Sequence, residues 1–274
     1  MTKKETSSLV DKIYLGEASD VLSSFPEKFV QSIVTSPEYF SNHRWKKTSL
    51  DEYLEIHRKV FKECYRVLRK DGTMFININD MFVQESNEYL NVPAKLDSVL
   101  RSMGFRMPQP PIIWLKDTAM PNSKRMQDIW EYIFVYSKSF EPKFDKEKLQ
   151  VKSKYNKGRR LDLNGTATKS APNVWAINKV FSDGRVHLKE HSCPFPPELV
   201  KNCLLLSTDE NDVVLDCFSG SGTTCYVARE MDRRFIGVEV NEKYYEDSLR
   251  NLSRNSSVVK AEDRSVSQPS LFDS

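Results

Sequence analysis

The sequence predicts an α/β protein built on a doubly wound, mostly parallel β-sheet. Short apolar segments of strand length alternate along the chain with amphipathic segments of helical spacing, which is the pattern of such a sheet. A chain of 274 residues is long enough for one large α/β domain with its own core, or for a core domain with a small insert. Hydrophobic residues make up 39% and charged residues 29%, the balance of an ordinary soluble protein.

The first half of the chain alternates predicted strands with one long helix. IYLGEASDVLSSF begins with a short strand and places Glu17 after it. FVQSIVTSPEYF is a buried strand that ends in Ser36-Pro37-Glu38-Tyr39, an ending that by itself also fits an ordinary strand-to-loop exit. SLDEYLEIHRKVFKECYRVLRKDG predicts an amphipathic helix that ends at Asp71-Gly72. GTMFININ is the next strand, and FVYSKS ends a later one.

The second half contains a strand, a glycine-rich turn and a helix within NDVVLDCFSGSGTTCYVARE. Gly220 and Gly222 flank one serine in the turn, and the next strand, RFIGVEV, delivers Glu239 at its carboxyl end. Glycines let a ligand approach the backbone, and the start of the helix offers free N–H groups to an anion. An acid on the next strand can accept hydrogen bonds from both ribose hydroxyls. The pattern predicts a nucleoside-type cofactor site.

The identity of the cofactor follows from what this turn lacks. A dinucleotide fingerprint requires a third glycine where this chain has Cys225, and a phosphate-binding loop requires Gly-Lys-Ser/Thr, which the turn does not contain. The turn therefore suits a carboxylate better than a pyrophosphate. S-adenosylmethionine fits, with its methionine carboxylate at the turn and its ribose on Glu239.

Composition argues against several other classes of protein. No apolar run approaches the roughly 18 residues of a membrane span, and MTKKETSSLV lacks the apolar centre of a secretory signal, so we expect a cytoplasmic protein. The five cysteines form no Cys-x-x-Cys pair and the four histidines lack metal-ligand spacing, so we expect reduced thiols and no metal. We expect His57 at the surface of its helix, and core or linker packing for Trp114, Trp130 and Trp175.

Two motifs make the sequence similar to the amino-methylating DNA methyltransferases of the permuted (beta-type) arrangement, in which the catalytic motif precedes the cofactor motif. Their catalytic signature, Ser/Asn/Asp-Pro-Pro-Tyr/Phe/Trp, is matched by Ser36-Pro37-Glu38-Tyr39. Their cofactor signature, Asp-Pro-Phe-x-Gly-Ser-Gly-Thr-Thr, is matched from Asp216 to Thr224. Between the two, PIIWLKDTAMPNSKRMQDIWEYIFVYSKS, NVWAI and HSCPFPPELVKNCLLLS resemble the cytosine-N4-specific branch.

The resemblance implies a fold of the S-adenosylmethionine-dependent methyltransferase type with a small target-recognition insert. It also implies direct transfer of a methyl group to the exocyclic N4 amine of a cytosine rotated out of double-stranded DNA. In the family, the side chain at Ser36 and the backbone carbonyl of Pro37 accept hydrogen bonds from the amine, and the ring at Tyr39 stacks on the base. We therefore predict a site-specific enzyme of restriction-modification or epigenetic modification, associated with the nucleoid.

The same resemblance implies the residues that contact S-adenosylmethionine. Most belong to the cofactor signature, and the others follow the first strand, lie in a segment that resembles the methionine-binding motif, or end RFIGVEV. The predicted set is Glu17, Phe195, Pro196, Asp216, Phe218, Ser219, Gly220, Ser221, Gly222, Thr223 and Glu239. Glu17 also fits an ordinary acidic residue in a surface turn.

Two residues depart from the family signatures. Glu38 replaces the usual second proline, which removes a backbone restraint and brings a charge near the base pocket. We expect its side chain to turn outward to solvent, or to pair with a local cation such as Arg44. Cys217 replaces a proline of the cofactor signature and is expected to change only local rigidity. Neither change removes a chemical group that the reaction needs.

The order of the motifs divides the chain into four predicted regions. Residues 1–117 form the catalytic half of the core, 118–189 the target-recognition insert and linking segments with a core strand near 130–137, 190–253 the cofactor half, and 254–274 a disordered tail. A basic cluster in the insert fits either a solvated loop or a phosphate-contacting face. The predicted DNA contacts are Lys124, Arg125, Lys154, Lys157, Arg159 and Arg160.

Other functions remain open at this point. Adenine-N6 methylation uses the same scaffold, usually with Asp or Asn in place of Ser36, so the serine favours cytosine without excluding adenine. Methylation at cytosine C5 would need a nucleophilic cysteine, typically after a proline, and the sequence contains no Pro-Cys pair. A third interpretation is a DNA-binding or regulatory protein that keeps the fold without activity, with Glu38 as the disabling change.

The polar tail contains one apolar motif. Gln268-Pro269-Ser270-Leu271-Phe272 resembles the short Gln-x-x-Leu-Phe peptide by which bacterial replication and repair proteins dock on the sliding clamp. Leu271 and Phe272 would then fill an apolar pocket of the clamp, and the tail would couple methylation to newly replicated DNA. A five-residue pattern also arises easily by chance.

Overall fold

A computed structural model describes residues 7–40, 45, 47–83, 88–116, 126–152, 160–161, 167–178 and 196–253. Its strands are β1 (Lys12–Leu15), β2 (Val30–Thr35), β3 (Leu68–Ile78), β4 (Phe82–Val83), β5 (Glu88–Tyr89), β6 (Ile112–Leu115), β7 (Trp130–Ser137), β8 (Gln150–Lys152), β9 (Arg160–Leu161), β10 (Ala167–Ser170), β11 (Val174–Ala176), β12 (Val213–Asp216) and β13 (Arg234–Glu239). Its α-helices are α1 (Ala18–Ser23), α2 (Leu50–Val67), α3 (Val92–Ser102), α4 (Pro197–Ser207), α5 (Thr223–Glu230) and α6 (Glu242–Ser253), and a 3₁₀ helix covers Lys146–Lys148.

The main sheet has eight strands in the order β1-β13-β12-β2-β3-β7-β6-β11. Neighbouring strands are parallel except where β7 pairs with β3 and with β6. The predicted doubly wound, mostly parallel sheet is therefore confirmed. The three adjacent strands β13, β12 and β2 run in the same direction, so the segments that follow Glu239, Asp216 and Thr35 leave the same edge of the sheet.

Apolar side chains cover both faces of the sheet, as a doubly wound fold requires. Ile33 of β2 packs in one buried cluster together with Phe61 of α2. The next residue, Val34, points to the opposite face and belongs to a second cluster that contains Leu204 of α4 and Cys225 of α5. This alternation follows from the period of two in a strand, and it makes β2 a central strand that is buried on both sides.

Helix α2 begins as expected but ends earlier than the sequence predicts. Ser49 and Glu52 form a capping box at its start. The predicted end at Asp71-Gly72 is wrong, because the helix stops at Val67 and the chain from Leu68 already pairs with β2. Glycine at position 72 allows β3 to approach β2 closely, because a Cβ atom there would lie 2.9 Å from the carbonyl oxygen of Gln31.

His57 is buried in the core rather than exposed on the helix surface. Only 1% of its surface is accessible, and its ring lies 4.0 Å from the ring of Tyr53 and 5.5 Å from that of Phe218. Its Nδ1 atom is 2.7 Å from the carbonyl oxygen of Tyr53. The expected surface position is wrong because Trp45, which precedes the helix, covers this side of it.

The region predicted as an insert contributes to two sheets. Strand β7, at 130–137 as expected, and strand β11 join the main sheet, whereas β8, β10 and β9 form a small antiparallel sheet. Trp114 and Trp175 are buried, as expected. Trp130 is 37% exposed at the start of β7 and so lies outside the core, but its ring packs edge-on against that of Tyr132, with the ring centroids 4.7 Å apart.

The described residues contain neither a disulfide nor a membrane-spanning helix. Within those ranges, Cys64, Cys203, Cys217 and Cys225 are buried free thiols. No helix in the same ranges is long and apolar enough to cross a bilayer.

Candidate active site

The catalytic motif begins where β2 ends. Ser36 is half-buried, and its hydroxyl donates to the backbone carbonyl of Asn77 on β3 at 3.1 Å. A serine hydroxyl has one hydrogen and two lone pairs, so this bond uses the hydrogen and turns the oxygen into an acceptor. Pro37 is buried beside it.

Tyr39 is held by a buried polar network that the sequence analysis did not identify. Its hydroxyl donates to the carboxylate of Glu131 on β7, and the side-chain oxygen of Asn77 lies 3.4 Å away. The other carboxylate oxygen of Glu131 accepts from the Lys116 ammonium at 2.9 Å. The sequence signal for this network is that Glu131 interrupts an apolar strand segment and that Lys116 directly follows another.

Glu38 does not turn outward to solvent, so that expectation is wrong. Glu38 as a whole is half-buried, and the Oε2 atom of its side chain is fully buried. The hydroxyl of Tyr53 on α2 donates to the Glu38 carbonyl at 3.0 Å, which holds the loop against the helix. The alternative partner, Arg44, lies outside the described residues.

The turn between β12 and α5 has the backbone that its glycines predict. Gly220 and Gly222 have φ angles of 50° and 82°, in the left-handed region that favours glycine. At Gly222, which precedes the first residue of α5, a Cβ atom would lie 3.0 Å from Cβ of Ser248. Glycine is therefore required there both by φ and by the close approach of α6.

Asp216 is the last residue of β12, directly before this turn, and it joins the turn to β2. Its Oδ1 atom accepts from the Thr35 hydroxyl at 2.7 Å and from the backbone N–H of Phe218 at 3.1 Å. Burial raises the pKa of Asp216 to about 6, although hydrogen bonds from Thr35, Thr224 and the Phe218 N–H oppose the shift. The Thr224 Oγ1 atom also lies 3.2 Å from the carbonyl oxygen of Val34, so α5 is close to β2 as well.

Glu239 ends β13 with its carboxylate directed at the turn. One oxygen accepts from the backbone N–H of Gly220 at 2.7 Å and the other from that of Asn241 at 2.8 Å. Burial raises the pKa of Glu239, the charges of Glu38 and Asp216 add to the increase, and the two backbone N–H groups oppose it. Each oxygen keeps a further lone pair that can accept from a ligand hydroxyl.

The side-chain hydroxyl of Ser219 is placed as expected for contact with a ligand in the turn. Its Oγ atom is buried and makes no hydrogen bond within the part of the chain that the structure describes. Buried hydroxyls normally have a partner. A carboxylate or hydroxyl of a bound cofactor would provide one, so the donor set of this turn suits an amino-acid cofactor.

The remaining predicted cofactor residues lie at several positions around this edge. Glu17 is exposed at the start of α1, next to Gly16, whose N–H donates to the Glu239 carbonyl at 2.9 Å. Pro196 is buried at the start of α4. The structure brings the others together at the turn between β12 and α5, which contains Phe218, Ser219, Gly220, Ser221 and Gly222, and at Thr223, the first residue of α5. Phe195 lies outside the described residues.

The predicted DNA contacts fall almost entirely outside the described residues. These are Lys124, Arg125, Lys154, Lys157 and Arg159. The backbone of Arg160 belongs to β9, in the small antiparallel sheet. The described residues on either side of 117–125 are hydrogen-bonded to each other, since the N–H of Lys116 donates to the carbonyl of Ile129 at 2.6 Å.

Comparison with known proteins reveals relatives along most of the chain. The type II methyltransferase M.BglII of Bacillus subtilis is 29% identical over 257 residues, which cover 89% of this chain and 69% of the relative. The type II methyltransferase M.Cfr9I of Citrobacter freundii is 27% identical over 277 residues, which cover 88% and 87%.

Solved structures show the same fold. The cytosine-N4-specific PvuII DNA methyltransferase has a TM-score of 0.74 and 22% identity, with 89% of this chain and 87% of that chain covered. TTHA0409 from Thermus thermophilus, solved with S-adenosyl-L-methionine, has a TM-score of 0.66 and 26% identity, with 89% and 95% covered. The sequence profile of the N6/N4 DNA methylases matches residues 30–250. This chain therefore belongs to the N6/N4 DNA methylase family.

Proposed function

We propose that this protein is a site-specific DNA methyltransferase that methylates the exocyclic N4 amine of cytosine with S-adenosylmethionine as the methyl donor. The main support is the hydrogen bond between Thr35 and Asp216, which joins the catalytic strand to the cofactor turn at the same edge of the sheet. The family assignment supports DNA as the substrate.

The cofactor site suits S-adenosylmethionine in three respects. The turn from Ser219 to Gly222 would bind the methionine end, since it combines a buried hydroxyl with glycines at positive φ. Glu239 would accept hydrogen bonds from the ribose hydroxyls. The related TTHA0409 has been solved with this cofactor. When bound, S-adenosylmethionine supplies an electrophilic methyl group.

The catalytic motif would prepare the base amine to receive that methyl group. The amine is a poor nucleophile because its lone pair is delocalised into the ring. The Ser36 oxygen and the Pro37 carbonyl would accept its two N–H groups, which favours a pyramidal nitrogen with a free lone pair. Tyr39 would stack on the extrahelical base. Positioning and fixed dipoles then carry catalysis, without a covalent intermediate.

Cytosine is the proposed target because Ser36 occupies the first position of the motif and because the linking segments resemble the cytosine-N4 branch. Adenine-N6 methylation is the alternative that the same scaffold would support. The two differ only in the base that the pocket accepts, so the product of the reaction distinguishes them.

The biological setting is part of the same proposal. The type II methyltransferases among its relatives support a role in restriction-modification. An enzyme that modifies DNA would act at the nucleoid. We retain the division into a catalytic half (1–117), an insert (118–189), a cofactor half (190–253) and a tail (254–274). Phosphate contact by the basic residues of the insert would position the enzyme on DNA.

Transfer of a labelled methyl group tests this function. Purified protein is incubated with tritiated S-adenosylmethionine and plasmid DNA, and the hydrolysed DNA is separated into nucleosides. We expect label in N4-methylcytosine. Label only in N6-methyladenine would overturn the cytosine assignment, and unlabelled DNA from a folded, cofactor-binding protein would overturn the enzyme assignment.

The tail motif at 268–272 lies outside the described residues, and we propose it as a sliding-clamp ligand. Fluorescence titration of a labelled tail peptide with a bacterial clamp tests this directly. We expect saturable binding that is lost when Leu271→Ala and Phe272→Ala are combined. Binding that this double change leaves intact would contradict the proposal.

A further inference from the structure

The hydrogen-bond network around Tyr39 contains a buried ion pair beside the proposed base-binding pocket. Lys116 and Glu131 are 7% and 6% exposed, and they form an ion pair at 2.9 Å. Asn77, which is 4% exposed, donates from its side-chain nitrogen to the second oxygen of Glu131 at 3.0 Å. The same oxygen accepts from the hydroxyl of Tyr39.

Fold stability alone does not explain such a network. A buried ion pair loses the hydration of both charges, and well-packed apolar residues of similar volume usually stabilise a core at least as well. A buried pair is better suited to fixing a defined geometry, because both partners are held by several directional bonds. Here each carboxylate oxygen of Glu131 has its own donors, so the acceptor for Tyr39 is fixed in place.

The network also reaches Ser36, the first residue of the catalytic motif. The side chain of Asn77 binds Glu131, and the backbone carbonyl of the same residue accepts from the Ser36 hydroxyl at 3.1 Å. The orientation of the amine acceptor and the orientation of the aromatic ring are therefore set by one residue of β3. Tyr39 can otherwise rotate about its two side-chain torsions, since it is half-buried.

We propose that Glu131, supported by Lys116 and Asn77, is a positioning residue that fixes the ring of Tyr39 for stacking on the extrahelical base. This rests on the proposed function, in which Tyr39 contacts the base. Tyr39→Phe would keep the ring and lose its hydrogen bond to Glu131. The chain thus uses the hydroxyl of a tyrosine for alignment and its ring for contact.

The test is a cycle of variants that spare the fold. Tyr39→Phe removes only the hydroxyl. Lys116→Met with Glu131→Met removes the acceptor without leaving an unpaired charge in the core. Tyr136→Phe is the matched control, since its buried hydroxyl donates to Asp97 at 2.8 Å elsewhere on β7. Thermal unfolding and titration with S-adenosylhomocysteine verify that each variant is folded and binds cofactor.

Two readouts report on the ring. The recognition sequence is first mapped by sequencing modified plasmid from cells that express the protein. The single-turnover rate of methyl transfer is then measured on a duplex with this sequence, and fluorescence is measured on the same duplex with 2-aminopurine at the target base. Stacking on an aromatic ring quenches that fluorescence, and a merely structural role would leave it unchanged.

We expect Tyr39→Phe and the Lys116/Glu131 pair variant each to lower the rate about tenfold and to raise the fluorescence. In the Tyr39→Phe background, the pair variant should lower the rate by less than about twofold, because the tether is already lost. Tyr136→Phe should match the wild type.

Three results would overturn the inference. Independent, multiplicative losses from the two changes would show that Glu131 does not act through the Tyr39 hydroxyl. An unchanged rate and fluorescence in Tyr39→Phe would show that the tether has no role. A wild-type protein that methylates no DNA would overturn the proposed function first, and the inference with it.

Discussion

The hydroxyl of Ser36 donates to the backbone carbonyl of Asn77 at 3.1 Å, across the boundary between β2 and β3. This bond leaves only lone pairs on the serine oxygen that faces the proposed base pocket. The proposed mechanism requires an acceptor there, and a hydroxyl free to rotate would spend part of its time as a donor. In the proposed mechanism, the parallel pairing of β2 with β3 would therefore set the Ser36 oxygen as an acceptor.

We predict that Ser36→Ala lowers the single-turnover rate of methyl transfer by about 100-fold or more, as for other single groups that act mainly in a transition state. Affinity for S-adenosylhomocysteine should stay within about twofold, since Ser36 does not belong to the cofactor turn. Ser23→Ala, which alters an exposed hydroxyl on α1, is the control. A rate close to that of the wild type would remove Ser36 from the mechanism.

Cofactor affinity should depend on pH through Glu239. Burial, together with the charges of Glu38 and Asp216, raises the pKa of this carboxyl above its ordinary value of 4.5. The ionised form accepts the ribose hydroxyls, so affinity should be highest at a pH well above this raised pKa and should decline as pH falls through it. Titration calorimetry with S-adenosylhomocysteine measures this.

Glu239→Gln should weaken that affinity about tenfold or more at pH 8 and should make its pH dependence shallower. Glu242→Gln changes an exposed carboxyl three residues later and should behave as the wild type does. If Glu239→Gln kept a pH dependence as steep as that of the wild type, another group would be responsible.

Asp216 should make the protein less stable as pH rises. Its folded-state pKa of about 6 exceeds the ordinary value of 3.8, so the folded state binds the proton more tightly and loses stability as pH rises through that range. The full effect is about 3 kcal/mol, of which about 1 kcal/mol falls between pH 5 and pH 8.

Urea unfolding at those two pH values, with Asp216→Asn, measures this contribution. Asparagine cannot ionise, so the free energy of unfolding should fall less between pH 5 and pH 8 in the variant than in the wild type. Asp232→Asn, at an exposed position, should leave the difference unchanged. An identical pH dependence in Asp216→Asn would contradict the assignment.

Gly222→Ala should disrupt the cofactor turn. A φ of 82° and a distance of 3.0 Å from the new Cβ atom to Cβ of Ser248 both oppose a side chain at this position. We expect a loss of about 1–3 kcal/mol in the free energy of unfolding and a marked loss of S-adenosylhomocysteine affinity. Unfolding curves and a binding titration measure the two effects, and a variant unchanged in both would show that the turn tolerates a Cβ atom.

The parts of the fold that depend on short sequence segments could be predicted from the sequence. The cofactor turn and the strand that delivers Glu239 follow from local apolar periodicity and from glycines at fixed offsets. The sheet class follows from the alternation of strands and helices. Each of these features is determined by residues that are close to one another in the sequence.

The features that were missed depend on distant partners. The early end of α2 results from pairing between Leu68 and Val30 of β2. The burial of His57 results from Trp45, which precedes α2, and from Phe218, which lies far along the chain in the cofactor turn. The ion pair of Lys116 and Glu131 forms only when β6 and β7 align. No local pattern contains this information.

The bond between Thr35 and Asp216 spans 181 positions of sequence. During synthesis on the ribosome, the strand that carries the catalytic motif emerges long before the strand on which its cofactor turn is built. Contacts of such long range form late in folding, because a large loop must close first. Enzymatic activity should therefore appear only at the final step of folding, and a nascent or truncated chain that ends before β12 should be unable to modify DNA.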